Sequence, residues 1–193
     1  MFTGIIQEMG VVSLIHQSPN GVRVSILAKK ILKGLKRGGS IAVNGVCLTA
    51  IDIKKTGFSA DLLPETLRDT NMGSLVKGES VNLELAMRFM KGRIDGHIVS
   101  GHVEGLGMIQ ERKESGNTLS LKISIPPAIK KYAILKGSIA VDGVSLTIQS
   151  LYRGGITVAI IPATAKVTTL GIKEVGASVN LESDLIAKYA KGL

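Results

Sequence analysis

The segment GSIAVNGVCLT at residues 39–49 returns as GSIAVDGVSLT at residues 137–147, with nine of eleven positions identical. At the same offset of 98, Pro64, Thr66, Thr70, Gly73 and Gly78 map onto Pro162, Thr164, Thr168, Gly171 and Gly176, and VNLE at 81–84 recurs at 179–182. Near the start of each copy the offset is 97: Thr3, Gly4, Ile5 and Ile6 align with Ser100, Gly101, His102 and Val103, and Gly10 with Gly107, a difference that one residue of loop explains. Stacked solenoids and propellers need about three or more units before neighbours bury one another's faces. Two units of this size must each close a core of their own.

Each copy carries short runs rich in Val, Ile and Leu, punctuated by Gly, Asn and Asp, the first holding Ile5–Val12, Val22–Leu27, Ser40–Val43, Cys47–Ile53, Phe58–Leu62 and Val81–Leu85. Six such runs per copy predict an all-β chain of two similar six-stranded Greek-key barrels in tandem. Short helices are expected at Lys29–Leu35, at Pro127–Ile134 and at Asp184–Tyr189, the last closing the chain. The charged, glycine-bearing stretch MRFMKGRIDGH between Leu85 and Val99 reads as the linker, giving barrels at 1–97 and 98–183 and a C-terminal helix at 184–193.

With 45% hydrophobic and 20% charged residues among 193, the chain can bury a sizeable core, and no run approaches the roughly 18 uncharged apolar residues of a membrane span. Met1–Val12 lacks the pattern of a secretory signal, so a cytoplasmic protein is expected. A single cysteine, Cys47, excludes an internal disulfide, and three histidines form no cluster at zinc spacing, so no metal is expected. The net charge of +9 is scattered and aromatics are 3%, which argues against a nucleic-acid surface.

The NGV and DGV segments have the composition of two-residue hairpin turns, and turn chemistry alone explains Asn44, Gly45, Asp142 and Gly143. It does not explain the strands that leave these turns. Cys47 and Ser145 are equivalent, each two residues before a threonine, Thr49 or Thr147, so each pair shares one strand face. Such groups could line a pocket or be satisfied at a strand end, and Cys47 alone could be a small buried hydrophobe. His102 stands where the first copy has Ile5; it is either structural or a proton carrier beside Gly101, whose lack of a side chain permits close ligand approach. His97 and His16 read as surface or boundary residues. PET at 64–66 and PAT at 162–164 open short helices, where proline suits the first turn and unpaired amides could also meet the carbonyls of a heterocycle.

Taken together, TGII at 3–6, NGVCLT at 44–49, LLPETLRDTNMG at 62–73, SGHVEG at 100–105 and DGVSLT at 142–147 resemble riboflavin synthase of the α-chain type, over essentially the whole chain. The resemblance implies dismutation of two molecules of 6,7-dimethyl-8-ribityllumazine to riboflavin and 5-amino-6-(D-ribitylamino)uracil, the final step of riboflavin biosynthesis, by a transferase without a cofactor. It further implies a homotrimer held by the C-terminal helix, an active site between the N-terminal barrel of one subunit and the C-terminal barrel of the next, and association with lumazine synthase.

Carried over residue by residue, one lumazine site comprises Gly4, Ile5 and Ile6, then Cys47, Leu48 and Thr49, then Asp61, Leu62, Leu63, Pro64, Glu65 and Thr66. The other comprises Gly101, His102 and Val103, Lys136, then Ser145, Leu146 and Thr147, then Ile161, Pro162, Ala163, Thr164, Ala165 and Lys166. His102, Cys47, Ser145, Thr147 and Asp142 are implicated in turnover. One lumazine must lose a proton from its C7 methyl group while the other accepts a nucleophile at C7, which calls for a base and a hydroxyl or thiol; His102 is assigned the proton transfer, Cys47 and Ser145 the attacking oxygen. Two departures stand out: Ala163 lacks the carboxylate of Glu65, and the tail LIAKYAKGL allows about two helical turns to support a trimer. The alternative is a non-catalytic lumazine- or flavin-binding protein of the same superfamily.

Overall fold

The computed structural model describes residues 1–18, 21–88 and 94–192. Six strands, β1 (Glu8–Ser18), β2 (Gly21–Leu27), β3 (Ser40–Val43), β4 (Val46–Lys54), β5 (Gly57–Leu62) and β6 (Ser80–Leu85), close into one antiparallel barrel in the order β1-β2-β5-β4-β3-β6. The second copy repeats it with β7 (Gly105–Ser115), β8 (Thr118–Ser124), β9 (Ser138–Val141), β10 (Val144–Tyr152), β11 (Gly155–Ile160) and β12 (Ser178–Ser183), ordered β7-β8-β11-β10-β9-β12. In each barrel three consecutive strands form hairpins and the sixth returns beside the first of them, the Greek-key order expected. Among the described residues four α-helices accompany the strands: α1 (Pro64–Asp69), α2 (Pro127–Lys130), α3 (Pro162–Val167) and α4 (Leu185–Gly192).

Alternation along the strands fills the barrels. On β4, Val46, Leu48 and Ala50 point inward while Cys47 and Thr49 face out, because successive side chains on a strand alternate sides. The first core gathers Val24, Ile26, Ile41, Phe58, Leu62 and Leu83, the second Ile109, Leu121, Ile123, Ile139, Ile148 and Leu181. A third small cluster of Phe2, Ala42, Val99 and Ala140 sits between the barrels, where the two alanines let the walls come close.

Several boundaries differ from expectation for local reasons. β1 begins at Glu8, not Ile5, because Thr3 and Gly4 are held by a buried carboxylate and Gly4 turns the chain at φ +75°. It then runs on to Ser18, since its polar end still pairs with β2 as far as Ser18 opposite Gly21. The helix expected at Lys29–Leu35 is a single 3-10 turn at Ile31–Lys33, its free amides at Lys29 and Ile31 accepted by the Glu8 carboxylate at 2.7 and 2.9 Å. α2 stops at Lys130, short of Ile134, because the chain turns there to bring Lys136 to φ +64°. α4 starts one residue later than expected, with Asp184 accepting from the Ile186 amide at 2.9 Å, and continues to Gly192, tied down by Lys188 on Glu104 at 3.2 Å. Residues 89–93 of the expected linker, and Leu193 of the expected helix, lie outside the described residues.

Candidate functional site

Both hairpin turns form as expected, with Asn44 and Gly45 at φ +46° and +79° and Asp142 and Gly143 at +46° and +77°. Their second role is not a local one, for they meet back to back between the barrels. A Cβ on Gly45 would fall 2.6 Å from the Gly143 nitrogen, and one on Gly143 2.7 Å from the Gly45 nitrogen. Asn82 of β6 reaches across to donate to the Asp142 carbonyl at 3.0 Å, and Asn180 of β12 donates to the Asn44 carbonyl at 2.8 Å. The same two side chains accept from the amides of Thr169 and Asn71, each at 2.7 Å. Asp142, with no exposed surface, breaks this symmetry. Its Oδ1 accepts from the Asn180 amide at 2.7 Å and the Asn71 side chain at 2.8 Å, and its Oδ2 faces the Lys173 ammonium at 2.9 Å. Burial pushes its carboxyl pKa up, and Lys173 opposes that shift.

Two extended arms precede β1 and β7. They pair through Phe2 and Val99, whose amides and carbonyls exchange hydrogen bonds of 2.7 and 3.1 Å. Glu84 of β6 accepts from the Thr3 amide, the Thr3 hydroxyl and the Gly4 amide at 2.7, 2.7 and 3.0 Å. Glu182 does the same for Ser100 and Gly101 at 2.6, 2.8 and 3.0 Å. Burial raises the pKa of both carboxyls. Thus anchored, each arm crosses to the other barrel: the Gly4 carbonyl accepts from the Ser145 amide at 2.8 Å, and the Gly101 carbonyl from the Cys47 amide at 2.9 Å. A Cβ on Gly4 would stand 2.6 Å from that of Ser145, and one on Gly101 2.6 Å from that of Cys47, so each site demands glycine for space as well as for its positive φ.

The crossing changes the grouping read from the sequence. Gly4, Ile5 and Ile6 line a groove of about 230 Å³ with Val144, Ser145, Ala163, Thr164, Val167 and Thr168, on the outside of the second barrel. Gly101 lies against Cys47 of the first barrel instead, and Val103, two residues on, packs on that barrel's core. The cause is that an arm is fixed by the glutamate of its own barrel but finds its strand partner on the neighbour.

The other candidates are spread over both barrels. Thr49 and Thr147 are exposed on the outer walls beside Cys47 and Ser145, whereas Leu48, Leu62 and Leu146 point into the cores. Leu63 and Ile161 precede the helices that Pro64 and Pro162 open, and both stand largely exposed; Glu65 is exposed in the first turn, with Thr66 behind it. Ala165 packs on the second core and Lys166 faces solvent. Asp61 is engaged by Arg23 at 2.7 and 2.9 Å, and that hydrogen-bonded guanidinium holds its carboxyl below the usual range. Lys136 lies outside the groove lining and donates to Gln149 at 2.7 Å. His102 is exposed, and His16 is an exposed residue of β1.

His97 requires a correction. Of the two readings, surface or boundary, the first fails: it is 8% exposed at the junction between the copies, and its Nδ1 lies 2.7 Å from the Ser145 hydroxyl. Glu84, Glu182, Asn82 and Asn180, which hold the arms and the turns, are residues that the sequence pattern does not single out, even though VNLE recurs; a carboxylate and an amide repeated inside a strand of otherwise apolar residues is the available signal. Thr70 and Thr168, whose hydroxyls donate to the carbonyls of Thr66 and Thr164 at 2.5 and 2.9 Å, fasten the ends of α1 and α3. Among the described residues no group of three His, Cys, Asp or Glu is placed to hold a metal ion, and no helix is long and apolar enough to cross a membrane.

The lumazine binding domain family matches residues 3–86 and again 100–184. The riboflavin synthase of Bacillus subtilis (strain 168) is 43% identical over 189 residues, spanning 98% of this chain and 87% of that protein. That of Mycobacterium tuberculosis (strain ATCC 25618 / H37Rv) is 43% identical over 197 residues, spanning 100% and 98%. Among solved structures, LumP complexed with 6,7-dimethyl-8-(1'-D-ribityl) lumazine superposes with a TM-score of 0.85 at 27% identity. LumP complexed with riboflavin gives 0.87 at 28%, and both alignments cover 95% of this chain and 99% of that one.

Proposed function

The chain belongs to the riboflavin synthase family, a transferase that dismutates two molecules of 6,7-dimethyl-8-ribityllumazine to riboflavin and 5-amino-6-(D-ribitylamino)uracil, and from that premise we propose how its two halves share the reaction. Each outer-wall groove holds one lumazine against an arm glycine, a strand residue (Cys47 or Ser145) and the opening turn of a helix (α1 or α3). The observation that carries this reading is the duplicated contact of an exchanged arm with the opposite barrel, Gly4 on Ser145 and Gly101 on Cys47, alike in backbone and different in chemistry: His102 against Ile5, Cys47 against Ser145, Glu65 against Ala163. Like backbones bind like molecules, and unlike side chains let one molecule give what the other takes.

In this scheme the exposed imidazole of His102 takes the proton from the C7 methyl group of one lumazine, and Cys47 and Ser145, with Thr147 beside Ser145, position an oxygen that adds at C7 of the other. The four-carbon unit then passes between them, so no external redox partner is required. Asp142 acts from behind, since no surface of it faces a ligand; it ties the barrels together through Asn71 and Asn82 of the first. The remaining groove residues bind the ligand by backbone and packing.

The same reading makes the protein a homotrimer. A groove of about 230 Å³ is small beside the roughly 300–1,000 Å³ of enclosed ligand sites and is rimmed by exposed Ile5 and Val167, so it is suited to being covered by another copy. On α4, Ile186 and Tyr189 stand 65% and 71% exposed three residues apart, an apolar stripe fit for helix pairing. The N-terminal groove of one subunit would then face the C-terminal groove of the next. The family resemblance adds a cytoplasmic location and association with lumazine synthase.

Purified protein given 6,7-dimethyl-8-ribityllumazine alone should release one riboflavin for every two lumazines consumed, and turnover per chain should fall on dilution as subunits separate. The likeness to LumP supports a second reading, a binder that holds the fluorophore unchanged. Tight binding with no riboflavin formed would establish that reading and end the first.

A further inference from the structure

We infer that His97 is the positioning residue for Ser145, orienting its hydroxyl so that the second groove offers a hydrogen-bond donor to the lumazine held there. The inference rests on the reading of that groove as a lumazine site. His97 stands two residues before Val99 and is held to the arm of the first barrel where that arm meets Ser145: its amide donates to the Thr3 carbonyl at 3.1 Å, and its ring Nδ1 lies 2.7 Å from the Ser145 Oγ. The preceding Gly96 is pressed against the same serine, since a Cβ there would stand 2.9 Å from the Ser145 Cβ and 2.1 Å from the Thr3 carbonyl oxygen. The arm therefore brings the imidazole to Ser145 with little freedom to withdraw.

The ring's other nitrogen decides the direction of the bond. Nε2 is buried and has no partner, so one tautomer would leave a buried N–H unpaired and the other only a lone pair. A buried orphan donor is the rarer of the two, so the proton resides on Nδ1 and is donated to the serine oxygen. With one lone pair so occupied, Ser145 is free to point its own O–H into the groove, where Gly4 and Thr164 form the facing walls. Burial pushes the imidazole pKa down, while the carboxylate of Asp184 at the foot of α4 pulls the other way; the ring stays neutral at neutral pH and donates without adding a charge to the site. No imidazole is hydrogen-bonded to Cys47 among the described residues, so the two grooves differ here as well.

Three variants test this on the intact protein. His97→Leu should lower kcat about tenfold, the worth of one oriented hydrogen bond, with the Kd for 6,7-dimethyl-8-ribityllumazine changed less than the kcat. His97→Asn, whose amide nitrogen can occupy the place of Nδ1–H, should recover most of that loss. In a Ser145→Ala background His97→Leu should cost no further turnover, because there is no hydroxyl left to orient. Wild-type protein that makes no riboflavin would refute the functional reading itself. Active wild-type protein in which His97→Asn is as impaired as His97→Leu would make the ring a base, and a loss undiminished in the Ser145→Ala background would make it a packing residue; either overturns the inference.

Discussion

Replacing both members of the buried Asp142–Lys173 pair should cost less than replacing them one at a time would suggest, because the first copy of the repeat already shows the uncharged solution. There the equivalent positions are Asn44 and Leu75, and Asn44 Oδ1 accepts from the Asn82 amide at 2.7 Å just as Asp142 Oδ1 accepts from Asn180. Lys173→Leu leaves a fully buried carboxylate without its cation. Removing one partner of such a pair typically costs about 3–5 kcal/mol, and because two hydrogen bonds to Oδ1 survive, about 3 kcal/mol is expected. Asp142→Asn strands the ammonium, which keeps the Ser178 carbonyl at 2.6 Å and 13% exposure, so about 2 kcal/mol is expected. In the double variant the introduced asparagine keeps both hydrogen bonds through its amide oxygen, and its NH2 group faces the introduced leucine. That orphan amide repeats the unpartnered Asn44 Nδ2 already present, at about 2 kcal/mol. The sum of the singles is then about 5 kcal/mol against about 2 kcal/mol for the pair, a coupling of about 3 kcal/mol. Denaturant unfolding of the four proteins measures it. Additive costs, or a double variant less stable than either single, would refute the view that Lys173 exists to neutralise Asp142. A double variant that regains stability yet makes no riboflavin would return Asp142 to the chemistry.

The exchanged arms predict opposite outcomes for two glycine substitutions. Gly4→Ala, strained by about 1–2 kcal/mol at φ +75° and in collision with Ser145, should lose the second groove only, so that 6,7-dimethyl-8-ribityllumazine still shields Cys47 from alkylation; Gly101→Ala should abolish that shielding. Shielding lost in Gly4→Ala and kept in Gly101→Ala would mean that the arms serve their own barrels. His97 also predicts a pH dependence. Its folded pKa lies below the ordinary 6.5, so its contribution is fully present above that value and is lost as pH falls towards the folded pKa, where the unfolded chain binds the proton first. Glu84 and Glu182, raised by burial, act with the opposite sign just above the carboxylate range, so the measurement is the difference in melting temperature between wild type and His97→Asn from pH 7 to 5. A difference that does not change over that interval would contradict it.

Both barrels and the two turns were legible because the sequence states them locally. Alternation places a residue on one wall or the other, and Asn-Gly or Asp-Gly between two apolar runs asks for positive φ twice in succession. The faces of Cys47, Thr49, Ser145 and Thr147 followed from the same rule, and so did the proline-led starts of α1 and α3. His97 was not legible, because its burial comes from distant parts of the chain: Thr3 and Ser145 enclose it, 94 and 48 residues away in sequence. Nor was the full role of Asn44 and Asp142, since a complete local explanation, the turn, concealed a non-local one.

The arm exchange left no trace in the repeat. The arms, β1 and β2 recur at an offset of 97 and β3 to β6 at 98, so the one-residue difference falls in the connection between β2 and β3 and says nothing of where an arm leads. Periodicity reports which side of a strand a residue takes, never which barrel the strand is set against. The partner is chosen by groups that are rare in a core, here Glu84 and Glu182, each satisfying three donors of its own arm and leaving the arm carbonyl as the free group. That carbonyl must find a donor, and the amides of Ser145 and Cys47 at the foot of the opposite hairpins supply it. A duplicated barrel that ends its arm in this way cannot complete a groove alone, so the second copy is required by the first before any chemistry is considered.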